Sequence, residues 1–94
     1  MVGIEKKDFA ISYSRHADEQ IKERQIAKVT VEETLRHPAQ LIEGRRNRKV
    51  AQKIYSIEGH DFLMRVIFKE TANEVNVVTA YLTTKIDKYW KRKP

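Results

Sequence analysis

The stretch FLMRVIFKE at 62–70 alternates with period two, and this constrains the chain more than any other feature. In an extended strand Phe62, Met64, Val66 and Phe68 share one side, while Leu63, Arg65, Ile67 and Lys69 share the other. The first set is wholly apolar and marks a face that covers a core. Gly59-His60-Asp61 precedes this strand and Ala72-Asn73 follows it, both turn signals, so 49–58 and 74–83 pair with it as antiparallel hairpins. Residues 40–43 read as a weaker strand, and Gly44-Arg-Arg-Asn47 as a turn with an exposed basic knuckle. Residues 85–93 fit either a short helix or extended chain.

Ahead of Pro38 the pattern changes period. FAISY at 9–13 is a short strand, and Ser14 fits a helix N-cap whose hydroxyl accepts from a free backbone N–H. A helix over 15–25 follows, with Ala17 and Ile21 as its narrow apolar stripe. Thr30-Val-Glu-Glu33 matches a capping box, which predicts a second helix over 31–37 that ends at Pro38, with Val31 and Leu35 towards the sheet. The expected fold is α+β: two N-terminal helices followed by a twisted antiparallel sheet of three to four strands in a meander. Ile21, Leu35, Phe62, Met64, Val66, Phe68 and Val78 should be buried. A turn that pivots near Ala72 sets Arg65 opposite Thr79 and Tyr81 opposite Leu63. The whole chain, 1–94, is one domain, with 1–8 and 91–94 loosely held.

Charge narrows the partners. Nineteen Lys and Arg against thirteen Asp and Glu give a formal charge of +6, which favours nucleic acid or an acidic protein. There is no cysteine, which excludes disulfides and thiol chemistry. No apolar run approaches the roughly 18 residues that span a bilayer. His16, His37 and His60 lie far apart with no metal-ligand spacing, and three glycines are too few for a phosphate-cradling loop. These features predict a soluble cytoplasmic domain with no metal, no cofactor and no membrane segment.

The candidate binding residues fall into sets. Arg45, Arg46, Arg48, Lys49 and Lys53 form one basic cluster; Lys85, Lys88, Lys91, Arg92 and Lys93 form another, interrupted by Tyr89 and Trp90. Cations beside aromatic rings suit single-stranded nucleic acid, because charges pair with phosphates and rings stack on bases. Thr79, Tyr81, Thr83 and Lys85 alternate, and the parity argument puts them on the face of Arg65. A ligand-binding surface has that texture, and so has an ordinary exposed sheet face. His16 falls in the first turn of a helix, where the dipole opposes a further positive charge and suits a proton acceptor.

Taken in order, ISYSRHADEQIKERQI, VEETLRHP, LMRVIFKE and VNVVTAYLTTKIDKYW resemble a family of small bacterial domains of unknown function. The likeness covers roughly residues 10 to 90. That family is similar in plan to the RelE, ParE and BrnT toxins of toxin–antitoxin pairs, within the barnase–colicin-like ribonuclease fold. The resemblance implies helices followed by a twisted antiparallel sheet, and metal-independent cleavage of RNA. It marks His16, Arg24, Arg65, Thr79, Tyr81 and Lys85, with His16 as base, Arg24 and Arg65 as phosphate clamps, and Tyr81 or Lys85 as acid. Catalysis is thus assigned to His16, Arg65, Tyr81 and Lys85. RNA and phosphate contacts are assigned to Arg24, Arg45, Arg46, Arg48, Lys49, Lys53, Thr79, Lys88 and Trp90. The implied partners are RNA, an acidic antitoxin protein and a second copy of the chain. The alternative is a non-catalytic module that binds nucleic acid or protein.

Overall fold

The computed structural model describes residues 9–92; the expectations of looseness at 1–8 and at 93–94 lie outside that range. In chain order the elements are β1 (Ala10–Tyr13), α1 (Arg15–Glu23), α2 (Lys28–Arg36), β2 (Gln40–Glu43), β3 (Lys49–Ile57), β4 (His60–Glu70), β5 (Glu74–Thr83) and the single turn α3 (Ile86–Tyr89). The fold is α+β, with a larger sheet than the sequence suggests. Strands β2 to β5 form the antiparallel meander, and β1 joins β5 in parallel, giving a five-stranded mixed sheet in the order β1-β5-β4-β3-β2. The parallel pairing is not legible in FAISY, which shows no pairing preference of its own. It covers the first half of an edge that would otherwise leave backbone groups unpaired.

Both helices pack on one face of this sheet, α1 against β5 and α2 against β3 and β4. Ser14 caps α1 as expected: its hydroxyl accepts from the Ala17 N–H at 3.0 Å and donates to the Val78 carbonyl at 3.1 Å. One side chain thus starts the helix and pins it to β5. The helix ends in a Schellman arrangement, with the Ile26 N–H on the Ile21 carbonyl (2.9 Å) and Gln25 at φ 55° in the place glycine usually takes. Ile26 is buried, which draws the chain straight into α2. The second helix therefore begins at Lys28, with Ala27 as N-cap and no side-chain cap, so Thr30 and Glu33 are helical residues and not a capping box. The Thr30 carbonyl instead accepts from the Thr34 hydroxyl at 2.8 Å, a back-bond inside the helix.

The expected register between β4 and β5 is corrected by two residues. Arg65 faces Tyr81, Leu63 faces Thr83 and Ile67 faces Thr79. Half of the shift comes from the turn, which sets Glu70 against Val75. The other half comes from a bulge, because Phe68 pairs with Val77 while Ile67 pairs with Thr79, leaving Val78 as the extra residue. The bulge reverses the strand's facing. Val75 and Val77 point to the core before it, and Ala80 does so after it. Val78 is only half-buried and is not the core residue expected, and Phe62, at the hairpin end of β4, is half-buried as well. Ile21, Leu35, Met64, Val66 and Phe68 are buried as the alternation requires.

Candidate anion-binding site

On the face away from α1 and α2, Arg65 occupies the centre of the sheet. Its Nε donates to Gln52 Oε1 on β3 at 3.0 Å, and its Nη1 donates to the Tyr81 hydroxyl on β5 at 2.6 Å. These are its cross-strand neighbours on either side, so the register alone assembles the trio. Gln52 is fully buried. Its Nε2 donates onward to Gln40 Oε1 on β2 (2.7 Å) and to the Tyr89 carbonyl (3.1 Å). Gln40 in turn holds both backbone groups of Lys91, donating to its carbonyl at 2.6 Å and accepting from its N–H at 3.0 Å. This relay straps the C-terminal segment across the sheet as far as Lys91. Tyr89 is set against Arg65, whose guanidinium lies 4.1 Å from the ring centre.

No carboxylate lies within ion-pair distance of Arg65 among the described residues. Its partners, an amide and a phenol, are not anions, so the guanidinium's attraction for an anion entering beside it is left unspent.

Beside the trio is an open cleft of about 480 Å³, lined by Gln20, Arg24, Thr79, Tyr81, Leu82, Thr83, Lys85 and Tyr89. Two of the eight are cations and none is an acid. The cleft exists because β1 stops at Tyr13 and leaves the second half of β5 as a free edge. Side chains of α1 fill in there: Gln20 bonds the Thr79 hydroxyl, and Arg24 Nη1 reaches the Ala80 carbonyl at 3.5 Å. Arg65 supports the cleft from behind Tyr81 and does not itself line it. Tyr81 and Tyr89 meet edge to face, 6.3 Å between ring centres. Burial pushes the Tyr81 phenol above its ordinary value, and Arg65 opposes the shift. The Tyr89 phenol is held below its ordinary value, first by its bond with Tyr81 and also by Lys88 and Arg65, while desolvation works against this.

The remaining sequence candidates divide by face. Thr79, Tyr81, Lys85 and Arg24 come together in the cleft, with Arg65 behind. His16 is exposed on α1 and lines a neighbouring groove with Glu19, Gln20, Lys22 and Glu23; only Gln20 belongs to both. Lys88 lies 5.2 Å from the Tyr89 ring, while half-buried Trp90 does not line the cleft. Lys49 and Lys53 point to the helix side, where they pair with Glu70 at 3.2 Å and Glu33 at 3.8 Å. Arg45, Arg46 and Arg48 form a separate pocket at the β2–β3 hairpin. Gln20 and Gln52 have no role assigned from the sequence. The signal for Gln52 is present there, because extending the parity of β4 to β3 puts an amide beside Arg65. Among the described residues no three His, Asp or Glu side chains are grouped to hold a metal ion, and no helix is long and apolar enough to cross a membrane.

No curated protein and no solved structure matches this chain at a significant level. Residues 13–82 do match a known family. That span runs from the end of β1 through both long helices to the penultimate residue of β5, so Arg24, Arg65, Thr79 and Tyr81 fall inside it and Lys85 and Tyr89 outside. Covering well over half of the sequence, the match makes this chain a member of the family described as Domain of unknown function (DUF4258).

Proposed function

We propose that this protein is a toxin-like RNA-binding domain, akin in plan to the RelE, ParE and BrnT group, and that it cleaves RNA without a metal ion. The observation that carries this reading is a cleft with two cations and no acid in its lining, backed by an arginine that has no carboxylate partner among the described residues. A phosphodiester fits that chemistry: Arg24 and Lys85 neutralise the phosphate, Arg65 fixes and polarises Tyr81, and the Tyr89 ring offers a stacking surface. In such a reaction a base takes the proton of the ribose 2′-hydroxyl, the resulting oxygen attacks phosphorus, and an acid protonates the departing 5′-oxygen. Tyr81 is the acid in this scheme. His16 is the base, one helical turn before Gln20 at the cleft wall. An acidic antitoxin would suit the same cationic face, and the reaction would take place in the cytoplasm.

Binding without cleavage is the second reading. It is favoured by the position of His16 in the neighbouring groove rather than in the cleft lining. One experiment separates the two. Labelled single-stranded RNA is incubated with the protein in excess EDTA, and both binding and product ends are followed. Cleavage leaving 2′,3′-cyclic phosphates, slowed on the order of 10²–10⁴-fold by Tyr81→Phe or His16→Ala with binding retained, supports the ribonuclease. RNA that is bound but intact leaves the binding module, and RNA that is not bound removes both readings.

A further inference from the structure

The β2–β3 hairpin holds a second pocket of about 280 Å³, lined by Gly44, Arg45, Arg46, Arg48, Val50 and Ile67. Here too the lining carries cations and no acid. The hairpin's backbone is shaped to present them. Arg46 and Asn47 both have left-handed φ, 57° and 62°, and the Gly44 N–H closes the turn on the Arg48 carbonyl at 2.7 Å. A side chain at Gly44 would come within 3.0 Å of that same carbonyl, which explains glycine there. Arg48 Nε is buried and has no hydrogen-bond partner among the described residues. A buried charged donor left unpaired is costly, and the hairpin bears that cost while holding three arginines at one pocket.

Register shows how this pocket relates to the cleft. Val50 pairs with Ile67, and Ile67 pairs with Thr79, so the three form one row on the face that carries Arg65. Val50 and Ile67 line the hairpin pocket, and Thr79 lines the cleft. At ordinary strand spacing the row is about 10 Å long, and Arg48 and Tyr81, each one pleat beyond it on opposite sides, lie about 16 Å apart. The two acid-free pockets therefore abut along a single face. Lys69 extends from that face next to Ile67 and adds to its charge.

We infer that the cleft and the arginine hairpin are two phosphate subsites of one track, and that the ligand is single-stranded RNA long enough to occupy both. This deepens the function proposed above and rests on it. A dinucleotide fills only the cleft. A chain of roughly four to six nucleotides, at the short end of the range for single-strand binders, reaches the hairpin and sets a phosphate among Arg45, Arg46 and Arg48. A duplex is too broad and too stiff to settle one strand against both pockets on a single sheet face.

The test uses the full chain with labelled oligouridylates from dinucleotide to hexanucleotide, and a variant combining Arg45→Ala, Arg46→Asn and Arg48→Ala. Asparagine is chosen at 46 because it tolerates left-handed φ. Thermal melts check that the variant folds, and Arg48→Gln alone serves as a milder second variant. The hexanucleotide should bind at least about tenfold more tightly than the dinucleotide, and the triple variant should bring that ratio close to one. Its plot of log affinity against log salt should flatten by about 0.7 for each phosphate it no longer neutralises. Equal affinity for both lengths in the wild type overturns the track and leaves the cleft reading intact. An unchanged length ratio and salt slope in the triple variant overturns the hairpin's part in it. If neither oligonucleotide binds, the functional proposal itself fails. If the hairpin arginines prove necessary only for binding polyglutamate, the pocket is a docking point for acidic protein and the track is wrong.

Discussion

At the scale of single residues, the organising contact is Arg65 with Gln52. A buried glutamine is expensive unless every polar atom is used. Here Oε1 accepts from Arg65, and Nε2 donates both to Gln40 and to the Tyr89 carbonyl. Gln52→Leu fills the same space but strands Arg65 Nε and frees the C-terminal segment. We expect a loss of about 1–3 kcal/mol in urea unfolding, the penalty of unpaired buried groups. We also expect faster amide exchange around Tyr89 and Lys91. A loss below about 0.5 kcal/mol, the level of an ordinary surface change, would show that the relay does not hold the strap. In the sequence Arg65 shares a strand face with Leu63 and Ile67, and the family resemblance marks it as a phosphate clamp. The neutral amide beside it is legible only when the parity of β4 is carried across the hairpin to β3, because Gln52 stands thirteen positions away and strand register alone brings the two together.

Among the elements, the bulge at Val78 decides which residues the site can use. Without it, Ala80 and Leu82 would leave the core and Tyr81 would enter it, since a one-residue slip exchanges the faces of a strand. Deleting Val78 should therefore cost about 3 kcal/mol or more and, on the function proposed above, abolish RNA binding. Val78→Ala, which keeps the residue count, should cost about 1 kcal/mol or less because the side chain is only half-buried. Similar melting temperatures for the deletion and the alanine variant would show that the bulge is not what sets the faces. Long alternating strands are legible from their own residues, as Met64, Val66 and Phe68 show. Short or irregular features are not. The parallel pairing of β1 depends on an edge made about sixty residues later in the chain. The start of α2 depends on Ile26 finding the core, which overrides the capping box written at Thr30.

Over the whole molecule, the two faces of the sheet keep their charges differently. On the helix side four acids are engaged: Asp18 with Lys28, Glu33 with Lys53, Glu70 with Lys49, and Glu32 as acceptor of the Tyr13 hydroxyl at 2.8 Å. On the opposite side Arg24, Arg65 and Lys85 have no acid partner among the described residues, a division that a net charge of +6 could not reveal. Tyrosines fasten both sides, and their protons make the fastening depend on pH. Burial, and then Glu32 as hydrogen-bond acceptor and as charge, pushes the Tyr13 phenol far above its ordinary value of 10.0. Tyr55, which bonds Glu33 at 3.1 Å, is raised by burial and by that carboxylate, against an opposing bond from Thr34. Tyr81 is raised too. In each case the folded state holds the proton more tightly than the unfolded chain. Their contribution is thus complete below about pH 10 and is lost as the pH climbs above it. Tyr89, lowered in the fold, has the opposite sign and adds stability as the pH rises. With three phenols against one, stability should fall on the alkaline side. The double variant Tyr13→Phe/Tyr55→Phe should be less stable than wild type at about pH 7, having lost its bonds to Glu32 and Glu33, yet lose less between about pH 9 and about pH 11. Urea unfolding across that range measures both slopes, and the comparison cancels the lysines that titrate there in either protein. Parallel alkaline limbs would mean that Tyr13 and Tyr55 are not proton-holding fasteners of α2, and that the sheet keeps its helices by apolar packing alone.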